Sequence, residues 1–109
     1  MIDIKAGETI KELAAKHSIV LFQFSSKDST PCVAIRQRIE EWLSSHEQVE
    51  ARHISIDAHP ELAAQNDVLS FPTVVVYVEG QVAIRESGYF SLDEIFAKLE
   101  RLIELMSSD

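Results

Sequence analysis

Cysteine is nearly absent from this chain: one residue in 109, Cys32. An internal disulfide is therefore excluded, and one thiol cannot complete a zinc site. The composition suits a reducing compartment, so a cytoplasmic location is expected. Glycine and proline are scarce as well, three of each. No flexible or proline-rich linker divides the chain, and there is no internal repeat. Basic residues number 10 against 18 acidic ones, a net charge of −8. That balance argues against nucleic acid or an anionic membrane as partner, since binding to either is driven by Lys/Arg contacts to phosphate. The acids are spread along the sequence and read as a solvated surface. No apolar run approaches the ~18 residues that span a bilayer. The opening MIDIKAGETIKEL lacks the charged, then apolar, then small order of a secretory leader.

What remains is the pattern of a single folded domain over residues 1–109. Hydrophobic residues make up 46% of the sequence, enough at this length for one core. Ile2 to Ile4 is expected as a short edge strand. GETIKELAAKH carries Ile10, Leu13 and Ala14 at helical spacing, and Thr9 with Glu12 fits a capping box. IVLFQF, from Ile19 to Phe24, is short and almost wholly apolar, as a strand buried on both faces would be. A helix is expected to open at Pro31 with Thr30 as its N-cap, presenting Ile35, Ile39, Trp42 and Leu43 on one face. Val49 to Asp57 alternates like a strand, with Val49, Ala51, His53 and Ser55 on one side and Arg52, Ile54 and Ile56 on the other. PELAAQN is a short helix. PTVVVYVEGQVAIRES reads as two antiparallel strands turning at Glu79-Gly80. Its second strand offers Val82 and Ile84 as a possible open sheet edge. Ser91 with Glu94 is a second capping box, and Ile95, Phe96, Leu99, Leu102, Ile103 and Met106 form the stripe of a final helix. The order β-α-β-α-β-α-β-β-α implies a mixed sheet with helices on both faces.

The segment DSTPC, the strand VLFQF before it and the helix after it give the chain a family likeness. So does VLSFPTVVVYVEGQ, a V-x-x-x-P-T strand opening followed by a glycine hairpin, and so does Gly88 after the last strand. Together they resemble a thioredoxin-fold protein over nearly the whole length. The resemblance implies a three-layer α/β/α sandwich around a central mixed sheet, and it places Pro72 at the family's cis-proline. It also implies a role in cell redox and thiol homeostasis, with no cofactor or metal. The active-site segment departs from the family's WCxxC at three positions. Ser29 stands where the nucleophilic cysteine belongs, Asp28 where the tryptophan does, and Gln23 where a buried carboxylate handles protons. Natural divergence accounts for all three departures, whereas a serine engineered for trapping accounts for one.

Thiol–disulfide exchange needs a thiolate to attack and a second thiol to resolve the mixed disulfide. A serine hydroxyl does neither, so a dithiol cycle within the chain is excluded on chemical grounds. Cys32 remains as a monothiol. Its place in the first helical turn favours a thiolate, because the dipole's positive end lies there. Its place on the face of Ile35, Ile39, Trp42 and Leu43 points it into the core, where a thiol stays protonated and inert. Ser29 reads as a capping or solvent-facing serine, since there is no G-x-S-x-G turn to make it a hydrolytic nucleophile.

The resemblance implies a binding surface made by Asp28, Ser29, Thr30, Pro31 and Cys32 against Ser70, Phe71 and Pro72. There the main chain before Pro72 would take an extended segment of a partner protein. Low-molecular-weight thiols are the other expected partners. His53 should lie beside Gln23 and could accept a proton in place of the missing carboxylate. His17, His46 and His59 show no metal-ligand spacing. Two alternatives stand beside this reading. One is a redox-silent interaction module using the fold as scaffold. The other is a working oxidoreductase whose cysteine at position 29 has been exchanged for serine.

Overall fold

A computed structural model of the chain describes residues 1–26 and 30–107. Ile10–Lys16 forms helix α1, Ile19–Ser25 strand β1, Thr30–Leu43 helix α2 and Glu50–Ser55 strand β2. Pro60–Gln65 forms α3, Thr73–Val78 β3, Gln81–Ser87 β4 and Leu92–Ser107 α4. The sheet runs β2-β1-β3-β4, with β1 parallel to β2 and antiparallel to β3, and β3 antiparallel to β4. It is a three-layer α/β/α sandwich.

Strand β1 is buried along its whole length because it is central and covered on both sides. Ile19 and Leu21 point to one face, where they meet Val74, Val76, Ile39 of α2 and Leu99 of α4. Val20, Phe22 and Phe24 point to the other, with Ile10 and Leu13 of α1 and Ala63 of α3. Burial on both faces, not alternation, is why this segment reads as a continuous apolar run. Helices α2 and α4 are clamped further along by a ring stack: Trp42 lies parallel to Phe96 at 5.0 Å and to His46 at 3.8 Å. Trp42 is thus a half-buried part of the helix contact.

The caps behave as their sequences require. Thr9 Oγ1 accepts from the Glu12 N–H and Ser91 Oγ from the Glu94 N–H. Glu79 and Gly80 turn the β3–β4 hairpin with φ of 51° and 78°, a pair of left-handed residues that suits a tight hairpin.

Three expectations change. The segment Ile2–Ile4 is not a full strand but a single parallel bridge, Asp3 to His53, held by Ile4 N–H to His53 O and His53 N–H to Ile2 O, each 2.9 Å. Thr30 is not the cap of α2 but its first residue, so the helix starts one position earlier than expected. Ile84 is not exposed: a register shift beside Val76 and Tyr77 leaves Ala83 unpaired and turns Ile84 inward, so Val82 alone of that pair faces solvent.

Leu99 is fully buried where α4 meets both α2 and the sheet. Leu99→Ala is expected to cost about 2–5 kcal/mol in urea unfolding, while Lys11→Ala on the exposed face of α1 should stay within ~0.5 kcal/mol.

Candidate functional site

The site collects at one end of the sheet because of strand register. Phe24, near the end of β1, lies opposite Thr73, the residue after Pro72. The chain leaving β1 enters the segment before α2, and Cys32 sits in the first turn of that helix. Gln23, opposite Val74 of β3, hydrogen-bonds to the Cys32 backbone, so the first turn of α2 lies over the part of the sheet where β3 starts. Lys27, Asp28 and Ser29 lie outside the described residues. The expected contributions of Asp28 and Ser29 therefore have no structural account here.

Cys32 is 4% exposed. The inward orientation expected from its helical face is the one observed, and Thr30, Pro31 and Val33 around it are exposed. Gln23 is completely buried beneath it, and its Nε2 donates to the carbonyl oxygen of Cys32 at 3.0 Å. Gln23 Oε1 has no hydrogen-bond partner among the described residues. An amide at this place can tie the helix start to the strand, but it cannot take a proton from a thiol.

The Phe71-Pro72 peptide bond is cis. The turn around it is tied down from several sides. Thr73 Oγ1 donates to the Ser70 carbonyl at 2.6 Å and lies 2.9 Å from Ser87 Oγ, and the Gly88 N–H donates to the Pro72 carbonyl at 3.0 Å. Gly88 meets this geometry with a φ of 76°. Phe71 is the exception. Its N–H and C=O form no hydrogen bond among the described residues, although the Phe71 ring packs on the core. Exposed apolar side chains flank this edge in sequence: Leu69 before it, Tyr89 after Gly88, and Val33 on α2. Hollows of about 480 and 490 Å³ open elsewhere on the surface, and neither is lined by Cys32 or Pro72.

His53 stands opposite Gln23 in the β1–β2 register, where the sequence placed it. Its ring does not reach toward Cys32, however. Nδ1 bonds to Asp3 Oδ1 at 2.9 Å and Nε2 to Ser25 Oγ, so both nitrogens are committed. Asp3, His53 and Ser25 come from three separate segments and form one hydrogen-bonded row. Sequence reasoning missed Asp3 and Ser25. Ser25 is two residues beyond Gln23 and shares its strand face, which is the only signal the sequence carried. Among the described residues no group of three or more potential ligands could hold a metal ion, and no helix is long and apolar enough to cross a membrane.

The thioredoxin family model matches residues 3–101. The chain belongs to the thioredoxin family. A thioredoxin-like protein of Bacillus subtilis, YdfQ, is 21% identical over 101 residues, covering 93% of this chain and 90% of that one. Staphylococcus aureus thioredoxin is 22% identical, covering 93% and 98%. Mouse mitochondrial thioredoxin is 29% identical, but this chain spans only 51% of its length. Among solved structures, Fasciola hepatica thioredoxin superposes with a TM-score of 0.78 at 22% identity, covering 92% of this chain and 96% of that one. A Halobacterium salinarum thioredoxin gives 0.76 at 19% identity, covering 92% and 86%. The fold and the family, one of redox proteins, are thus common to chain and relatives.

Burial holds the pKa of His53 below its ordinary 6.5, and the hydrogen bond it donates to the Asp3 carboxylate only partly offsets this. A depressed folded value means that the unfolded chain binds the proton more readily. Stability is then full above about 6.5 and is lost as pH falls through His53's folded value. Thermal unfolding should therefore show a drop on acidification from pH 7 toward 5, above the range of ordinary carboxylates, and His53→Gln should flatten the curve in that window.

Proposed function

We propose that this protein binds extended segments of partner proteins, and low-molecular-weight thiols, at the edge between the start of α2 and Phe71-Pro72. Cys32 provides at most slow monothiol exchange there. The observation that carries the reading is the main chain of Phe71 ahead of the cis Pro72, whose N–H and C=O form no hydrogen bond among the described residues. Main-chain groups of this kind can take a strand from a partner whatever its side chains are. The exposed Leu69, Tyr89 and Val33 add apolar area around them. Thr30 and Pro31, exposed at the start of α2, complete the binding surface on that side; Asp28 and Ser29 are assigned to it from the sequence alone. The reading fits a reducing compartment such as the cytoplasm, where a lone thiol stays free.

A redox-silent docking module is the second reading, and the burial of Cys32 favours it. A peptide carrying one activated cysteine separates the two. A mixed disulfide with native Cys32 supports exchange. Peptide binding that is unaltered by Cys32→Ala, with thiol reactivity only after unfolding, supports the silent module. In either case Phe71→Pro, which deletes an N–H, should weaken peptide binding about tenfold, close to 1.4 kcal/mol. Phe71→Ala should lose only its apolar share.

The remaining alternative, an oxidoreductase that lost one sulfur, is tested by Ser29→Cys. Because Gln23 cannot accept a proton, the variant is expected to reduce a model disulfide poorly, and Ser29→Cys combined with Gln23→Asp should reduce it faster. Efficient reduction by Ser29→Cys alone would point to a single lost sulfur as the whole defect.

A further inference from the structure

We propose that the hollow between α1 and α3 binds a small amphiphilic carboxylate, with its apolar part over Tyr77 and its charge at Lys11. The hollow measures about 490 Å³, inside the ~300–1,000 Å³ range of small-molecule sites. Its origin lies in the sequence. Helices α1 and α3 have only seven and six residues. The α1 positions that line the gap include the small Ala14 and Ala15. Two short helices meeting through small side chains leave Tyr77 of β3 only half-covered between them. The Tyr77 ring is held edge-on to Phe22 at 5.8 Å, so the floor of the hollow is rigid. Ile10 and Leu62 complete the apolar lining. Val82 extends it. It stands opposite Tyr77 in the β3–β4 register, so it shares that face of the sheet, and it is 50% exposed.

The polar groups decide the class of ligand. Lys11, Gln65 and Tyr77 line the hollow, and their side chains form no hydrogen bond or ion pair among the described residues. The Lys11 ammonium and the Tyr77 hydroxyl are donors, and a carboxylate accepts from both. Lys11 is also the one charged residue in the lining. On a chain of net charge −8, a hollow lined by a cation and by no carboxylate favours an anion over a cation. The hollow of similar size between β4 and α4 has the opposite balance, with Glu86 and Glu94 against Lys98. A fully polar anion would leave Ile10, Leu62 and the Tyr77 ring unused, so the ligand carries an apolar part. At the ordinary strand rise Tyr77 lies ~17 Å along the chain direction of β3 from Pro72. The hollow is therefore independent of the edge at Phe71.

The test follows backbone amide resonances of the native chain during titration with octanoate. Octanol and octylamine, of equal chain length, serve as the neutral and cationic controls. Octanoate is expected to give saturable shifts at Lys11, Ala15, Gln65 and Tyr77. Octanol should bind more weakly, and octylamine not at all. Lys11→Gln should weaken octanoate binding about three- to fivefold, as loss of an exposed ion pair does, and Lys11→Glu should weaken it further. Tyr77→Phe should cost about threefold, for one lost hydrogen bond. Ala15→Leu puts a good helix former into the hollow and should abolish binding while circular dichroism and the urea midpoint stay unchanged. Shifts that never saturate, or octanol or octylamine binding as tightly as octanoate, overturn the proposal. So does an affinity that Lys11→Glu leaves unaltered, or a set of shifts centred on Phe71 instead of Tyr77.

Discussion

The hydrogen bond from Gln23 to the Cys32 carbonyl organises this end of the molecule. It joins the fully buried side chain of the central strand to the backbone of the first turn of α2, as a second donor to a carbonyl that also serves the helix. Everything near the site is arranged around that tie. Cys32 is buried by its place on the inner face of α2, and the exposed part of the helix start is left to Thr30, Pro31 and Val33. The bond also sets a chemical limit. A carboxylate at position 23 could hold a proton; an amide only bonds, and its second polar atom has no partner among the described residues.

One strand over, the His53 ring is fixed between Asp3 and Ser25, which occupies both of its nitrogens. The binding edge proposed above rests on the main chain of Phe71, which forms no hydrogen bond among the described residues, beside a Pro72 turn tied down by Thr73, Ser87 and Gly88. A surface of this kind does not depend on a second sulfur. Losing the dithiol cycle and keeping the binding edge are therefore compatible within one fold.

Much of the fold was legible because its signals are local. IVLFQF has the apolar density of a strand covered twice, the two capping serine and threonine positions mark helix starts, and Glu79-Gly80 marks a turn. Pro72 and Gly88 were legible through family likeness, because a cis bond has no signature in periodicity. What was not legible depends on distant contacts. Asp3 becomes a site residue only because a single bridge brings it beside His53, 50 residues away. Ser25 fell just outside the strand read from Ile19 to Phe24, and its place beside His53 arises from register with β2. The inward turn of Ile84 comes from one unpaired residue in β4, which alternation alone cannot reveal.

The most direct measurement follows backbone amide resonances of the native protein while an extended peptide without cysteine is added. The account predicts the largest shifts at Ser70, Phe71 and the first turn of α2, unchanged when Cys32 is alanine. Shifts confined to the open edge of β4, or none at concentrations where a thiol-bearing peptide reacts, would contradict it.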